Sequence, residues 1–218
     1  MMKLLMKEFR LCLHPAACIM PATCALILVP NYPFGVVYFY MALGLFFICL
    51  GARENGDAAY TLSLPVSRRA AVRGRIGFAV CLEMLQLALS GIFIAIRARF
   101  PDGGVNAAGM DANFALIGQG FALFGVFNIA FFPDHYRDIR RVGVPFALGA
   151  AAMFVLIVLD IVATYAVPFV RDALDTPGAA HLGAKLGCVA LGAALYAALT
   201  ALAAHISERR FEKADLQL

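Results

Sequence analysis

Residues 34–51 read FGVVYFYMALGLFFICLG, residues 52–75 read ARENGDAAYTLSLPVSRRAAVRGR, and residues 76–96 read IGFAVCLEMLQLALSGIFIAI. A hydrocarbon core of about 30 Å takes about 20 apolar residues of helix, so the first and third stretches are of crossing length. The middle stretch, charged from Arg53 to Arg75, belongs in water between them.

Four more runs surround this pair: Pro15 to Pro30, Phe114 to Phe132, Val142 to Tyr165 and Ala184 to Ile206. The first of these is the weakest, short and interrupted by Pro21. Hydrophobic residues make up 62% of the 218 and charged ones 15%, far from the 45 to 50% and 25% of soluble domains. The runs are continuously apolar and lack the alternation of barrel strands, and backbone groups in lipid must be bonded within their own segment. The expected fold is therefore an all-α, polytopic membrane bundle of six transmembrane helices in a single domain, 1–218. The remaining stretches, such as 97–113 and 166–183, are too short for a soluble core. Cys12, Cys18, Cys24, Cys49, Cys81 and Cys188 avoid the external loops, which argues for buried packing residues rather than disulfides. A cleaved lipoprotein signal ending in PAAC at Cys18 is rejected, because the apolar run follows that cysteine.

Six crossings put both termini on one side. On that side lie fourteen of the eighteen basic residues, leaving Arg97, Arg99, Arg171 and Lys185 opposite. Basic residues of short loops stay in the cytoplasm, so both termini are expected to be cytoplasmic, and the net charge of +4 reflects topology rather than nucleic-acid binding. In residues 1–14, Lys3, Lys7 and Arg10 line one helical face while Met2, Leu5, Met6, Phe9 and Leu13 fill another. That pattern is either an interfacial amphipathic helix or a charged flank of the first crossing. Residues 207–218 form a cytoplasmic tail.

The loop 52–75 carries Tyr60, Leu62, Leu64 and Val66 among its charges, more than a connector needs. Gly56 supports a bend, Pro65 favours extended chain before it, and Ser67 is a good cap for a helix from Arg68. Together with KEFRLCLHP (7–15), NYPFGVVYFYMALGLFF (31–47), RENGDAAYTLSLPVSR (53–68) and CLEMLQL (81–87), this loop resembles the permease subunits of type 2 ATP-binding-cassette (ABC) exporters, the small six-helix bacterial kind. Beyond residue 100 the likeness is mainly hydropathy, with FFPDHYRDIRR (131–141) at a second cytoplasmic loop.

The resemblance implies a multi-pass protein of the bacterial inner (plasma) membrane that works by alternating access. It implies that the loop docks on a separate ABC ATPase subunit through Glu54, Asn55, Asp57, Leu64, Pro65, Val66, Ser67 and Arg68, and that a second permease copy or a sister permease completes the pathway. Apolar residues seat such a loop and charges fix its register. Arg68, Arg69, Arg73 and Arg75 also suit topology anchors and lipid headgroup contacts. A phosphate-binding loop needs Gly-x-x-x-x-Gly-Lys-Ser/Thr, and the chain has no Gly-Lys pair. ATP and magnesium therefore belong to the partner ATPase, and no cofactor or catalytic residue is expected here.

Within the runs, polar groups are costly and mark function or interhelical contact. Glu83, Gln86 and Ser90 share a face of the third run, lining a substrate path or clamping helices. Asn128 falls at a depth like that of Glu83 and within reach of it, and Arg75 is an alternative cap. Asp160, about 27 Å from the cytoplasmic side, falls near the opposite interface and carries no assigned role. Small-residue stripes at Gly118, Ala122 and Gly125 and at Gly183, Gly187, Ala190, Ala194 and Ala198 permit close helix approach. A non-transporting scaffold or sensor fits the composition too, as does an intramembrane enzyme using Glu83. For the latter, no His-Glu-x-x-His or Gly-x-Ser-x-Gly is present, and His14, His135, His181 and His205 lie near helix ends.

Overall fold

The computed structural model describes residues 2–99, 106–176 and 180–214, so the end of the tail, 215–218, and parts of the loops 97–113 and 166–183 lie outside the described residues. Among the described residues the chain is helical throughout its regular structure, and it is membrane-embedded by the length and hydropathy of its helices.

Helix α1 (Met2–Lys7) runs on through a π turn, Glu8–Cys12. Helix α2 (Pro15–Ile19) continues as a 3-10 helix, Met20–Leu28. Then follow α3 (Val36–Glu54), α4 (Asp57–Ser63), α5 (Arg68–Arg97), α6 (Phe114–His135), α7 (Gly143–Ala166) and α8 (Leu182–Lys213), with a π turn at Val170–Leu174 before α8. Five of these, α3 and α5 to α8, are long and apolar enough to cross a membrane.

The expected first crossing is not a regular α-helix. Residues Lys3–Cys12 and Pro15–Leu28 form a pair bent by 100°, so the count is five helices, or six if the pair is one span. Pro21 has no N–H to give the preceding turn, and the chain tightens into 3-10 geometry at that point. Because that geometry rises about 2 Å per residue instead of 1.5, residues 15–28 reach about 25 Å, longer than their number suggests. Ala17, Cys24 and Ile27 are fully buried. The segment packs on α3 and α5, and Arg97 donates to the Ile27 carbonyl at 2.9 Å where the segment ends.

Helix α6 is the centre of the bundle, with 56% of its apolar span buried against 17% for α7. Its tightest neighbour is α8. A Cβ on Gly192 would stand 2.2 Å from the Gly118 oxygen, and one on Gly118 would stand 2.6 Å from the Cys188 oxygen, so the two backbones touch where side chains are missing. Gly125 likewise faces Tyr196. The stripe on α6 is thus used within the chain, but its counterpart is Cys188, Gly192 and Tyr196. Gly183 and Gly187, expected to form the close approach, meet nothing within 4 Å. They face outward with Ala190, Ala194 and Ala198. Two of the cysteines, Cys18 and Cys81, also face outward rather than inward, and all six are free thiols. A thiol behaves as a small hydrophobe, so facing lipid costs it little.

Overpacking a filled contact costs about 1–3 kcal/mol. Replacing Gly192 by Ala is therefore expected to lower the melting temperature of the detergent-solubilised protein by several degrees, whereas Gly183→Ala leaves it unchanged or raised. Thermal unfolding of both variants checks this, and equal melting would show that the α6 and α8 backbones do not touch.

Candidate functional site

The chain reverses at Gly56, whose φ of +62° is a left-handed conformation that glycine adopts without strain, and enters α4 one residue after α3 ends its cap. Leu64 is extended before Pro65, and the Val66 N–H turns back to the Leu64 carbonyl at 2.7 Å. Ser67 then caps α5, its hydroxyl accepting from the Ala70 N–H at 3.2 Å. The bend at Gly56, the extended residue before Pro65 and the capped basic helix are as the sequence predicts.

A buried ionic cluster fixes α4 to the rest of the bundle. Asp57, in its first turn, accepts from Lys7 Nζ at 2.8 Å and from Arg75 Nη2 at 2.6 Å. Arg75 Nε also reaches Glu8 at 2.7 Å, and Lys7 reaches Glu8 at 2.9 Å and the Thr61 hydroxyl at 2.8 Å. The four side chains are only 4 to 13% exposed. Two positive and two negative charges cancel, and three segments distant in sequence are joined: the turn after α1, the start of α4 and the first turns of α5. Burial alone would raise the Asp57 carboxyl, but Arg75 and Lys7 outweigh it and hold the group below its ordinary 3.8.

The expected docking residues divide between this lock and the outer surface. Asp57 lies in the lock; Glu54, Asn55, Pro65 and Ser67 are exposed; Leu64, Val66 and Arg68 are half-buried. Tyr60, which the sequence reading did not include among them, is 51% exposed on the outer face of α4. Glu54 pairs with Arg53, whose guanidinium also donates to the Arg140 carbonyl at 3.2 Å, tying α3 to the loop after α6. Behind α4 lies a cavity of about 190 Å³, with Leu62, Ala71, Ile139 and Phe211 among its apolar walls and Arg75 and His135 among its polar groups.

The arginines of α5 are held within the chain. Arg68 donates to the carbonyls of Phe211, Glu212 and Ala214, which closes the C-terminal end of α8. Arg69 grips Glu212 and Arg73 grips Glu208, each through two hydrogen bonds of 2.6 to 3.0 Å. The start of α5 and the end of α8 therefore lie together with α1 at one end of the bundle.

Deeper in the bundle, Glu83, Gln86, Ser90 and Asn128 are all fully buried. Glu83 accepts from the Tyr196 hydroxyl at 2.6 Å and from the Asn128 amide at 3.1 Å; that amide also reaches the Thr200 hydroxyl at 3.1 Å. Arg75, the alternative cap for Glu83, is committed to Glu8 and Asp57 instead. Gln86 donates to the Val37 carbonyl of α3 at 3.1 Å, and Ser90 and the Gln86 carbonyl meet Cys24 at 3.4 Å. One stripe of α5 thereby bonds to α6, α8, α3 and the 3-10 segment, which is the geometry of a clamp. None of these four residues lines the cavity behind α4.

The sequence reading missed Glu8 and misjudged Arg75. The signal for Glu8 was present: it is the one acidic residue before Glu54, and it shares a face with Leu4 and Cys12 at spacings of four, a buried stripe in the structure. Glu8, Cys12 and Asp57 bring their ligand atoms within 4.8 Å of one another, as a metal site would, but Lys7 and Arg75 already occupy the two carboxylates.

The chain matches no family model, no curated protein and no solved structure. The residues and their geometry alone carry the functional reading.

Breaking a buried ion cluster by removing one member costs about 3–5 kcal/mol. Asp57→Asn is therefore expected to lower the melting temperature markedly. Because the Asp57 carboxyl is depressed, its contribution is complete above pH 3.8 and falls as pH drops through the lower folded value. The gap between wild type and the variant should stay flat from pH 5 to 8 and shrink below pH 4; a gap that grows on acidification would contradict the lock.

A second expectation concerns Glu83. Gln in its place keeps an oxygen for Tyr196 and Asn128, while Leu strands both donors at about 1–3 kcal/mol each. Glu83→Gln should melt close to wild type and Glu83→Leu well below it. Normal stability of the Leu variant would remove the clamp.

Proposed function

We propose that the chain is the membrane-spanning permease subunit of an ATP-driven exporter of the ABC type, with ATP and magnesium on a separate ATPase. The observation that carries this reading is α4. A seven-residue helix with an exposed tyrosine lies at the end of the bundle and is bolted to two other segments through the Lys7, Glu8, Asp57 and Arg75 lock. A connector needs neither the exposed aromatic nor the lock, whereas a docking element needs both: an apolar feature to seat in a partner, and a rigid base through which a push is passed on.

Basic residues mark the cytoplasmic side. On this reading the end that carries α1, α4, the Arg137 to Arg141 loop and the basic end of α8 faces the cytoplasm, where an ATPase would meet it. The 100° bend after Cys12 suits an N-terminal helix lying along the same surface. The membrane is taken as a bacterial plasma membrane, and a second copy or a sister permease as the partner in the bilayer. Glu54, Asn55, Tyr60, Pro65 and Ser67 form the exposed contact surface, with Leu64 and Val66 at its half-buried edge. The clamp role of Glu83, bonded to a phenol and an amide, supports force transmission rather than acid or base chemistry.

The reading is tested by affinity purification of the chain from its own membranes. An ATPase with a Gly-x-x-x-x-Gly-Lys-Ser/Thr loop should accompany it and hydrolyse ATP faster in its presence. Tyr60→Asp with Leu64→Asp should abolish both effects while membrane insertion and melting stay close to wild type. Association and stimulated hydrolysis that survive this double substitution would refute the docking assignment.

A further inference from the structure

Helices α7 and α8 both pack on α6 but hardly on each other. Because α8 is drawn onto α6 through Gly118 and Gly192, and α7 leans away, a groove of about 790 Å³ is left between them. Its floor is Gly118 and Ala122 of α6, its walls include Leu159 of α7 and Leu191 of α8, and Phe169 and Val170 border it. That volume is in the range of small-molecule sites, about 300–1,000 Å³. The groove lies on the lipid-facing side, beside the exposed apolar surface of α7.

Two polar groups interrupt this apolar trench. Asp160 stands six residues before the end of α7, about 9 Å inside it. Among the described residues no basic side chain forms an ion pair with it, and the Gln119 amide is its hydrogen-bonding neighbour. Gln119, also in the groove, has a buried Oε1 with no hydrogen-bond partner. Lys185 is not part of the lining and gives its ammonium to the Thr176 carbonyl at 2.6 Å. The groove therefore offers one partly exposed oxygen acceptor, the Asp160 carboxylate, with the enclosed Gln119 amide near it, and among the described residues its lining holds no basic side chain.

From this complementarity we infer that the groove binds a hydrophobic amine, its protonated nitrogen at Asp160 and its apolar body along the trench. An acidic residue within a membrane span calls for a partner, and a protonated amine supplies both the opposite charge and the N–H donors that its carboxylate accepts. A phospholipid fits less well even when its headgroup holds an amine, because its phosphate would find no Lys or Arg in the lining. Regarding this amine as exported cargo rests on the proposed function; its binding does not.

The isolated chain in phosphatidylcholine nanodiscs is titrated with dodecylamine bearing a dansyl group at the far end of its chain. Saturable binding is expected, at least about tenfold tighter than for the matching alcohol or fatty acid. Asp160→Asn should erase that preference. Gly187 lines the groove and has open space around it, so Gly187→Phe fills the trench without straining the fold and should abolish binding. Gly183→Phe, equally open but outside the lining, should bind as wild type does. Melting temperatures verify that each variant is folded.

Equal binding of amine, alcohol and acid, unaltered binding in Asp160→Asn or Gly187→Phe, or displacement of the amine by phosphatidylethanolamine would overturn the inference, the last by making a lipid the occupant. No ATPase enters the assay, so its outcome and that of the docking test are independent.

Discussion

The lock of Lys7, Glu8, Asp57 and Arg75 is the constraint on which the basic end of the molecule depends. Four charges buried together are tolerable only because they cancel and because each finds a partner within 2.6 to 2.9 Å. The geometry that satisfies one satisfies all: if Asp57 leaves, Lys7 and Arg75 face a single carboxylate, and if Glu8 leaves, Arg75 keeps only one. Local propensity would not hold α4, a helix of seven residues, in place. Its position is set by Asp57, held by Lys7 and Arg75, and by Thr61, whose hydroxyl accepts from Lys7.

A different constraint governs the membrane-embedded half. Helices in lipid gain little from burying apolar surface against each other, so packing of small residues and interhelical hydrogen bonds must bring them together. Helices α6 and α8 use the first through Gly118 and Gly192; α5 uses the second through Glu83, Gln86 and Ser90. Helix α7 has neither with α8. The groove beside it follows from that inequality, because a bundle drawn tight along one seam opens along the next.

Most of the fold was legible in the sequence because hydropathy and length act locally: each of the five long helices covers nearly all of a predicted run, α5 and α8 extending well beyond theirs, and the bend at Gly56 and the cap at Ser67 are as read. The bond between Asn128 and Glu83 was legible from depth alone. The failures share a cause. Pro21 marked a weak run, but whether a chain tightens to 3-10 geometry there depends on the neighbours that seat Cys24 and Ile27. The small residues of α8 could not reveal which of them face α6, since Gly183 and Gly192 look alike until the rotation of the helix is known. Arg75 reads as one more topology anchor, and only the fold brings Glu8 and Asp57 to it. That no basic side chain among the described residues pairs with Asp160 was hidden for the same reason, being a property of what the other helices leave beside it.

The two halves are joined through α5. Arg75, in the lock, and Glu83, Gln86 and Ser90, in the clamp, lie on one continuous helix spanning about 23 Å between residues 75 and 90. On the exporter reading a displacement of α4 acts first on Arg75, and the clamp gives that motion a grip on α3, α6 and α8. A chain of contacts transmits force only if the element at its head has two arrangements to choose between. The cavity behind α4 bears on this point. Had α4 been packed solid against Ile139 and Phe211, a push from a partner would meet a close-packed wall. With about 190 Å³ behind it, α4 has somewhere to go, and the ion pairs that fix its resting place are groups able to re-form one step along. On that reading the lock and the cavity are complementary parts of one docking element: the first defines where α4 rests, and the second makes that position one from which it can be moved.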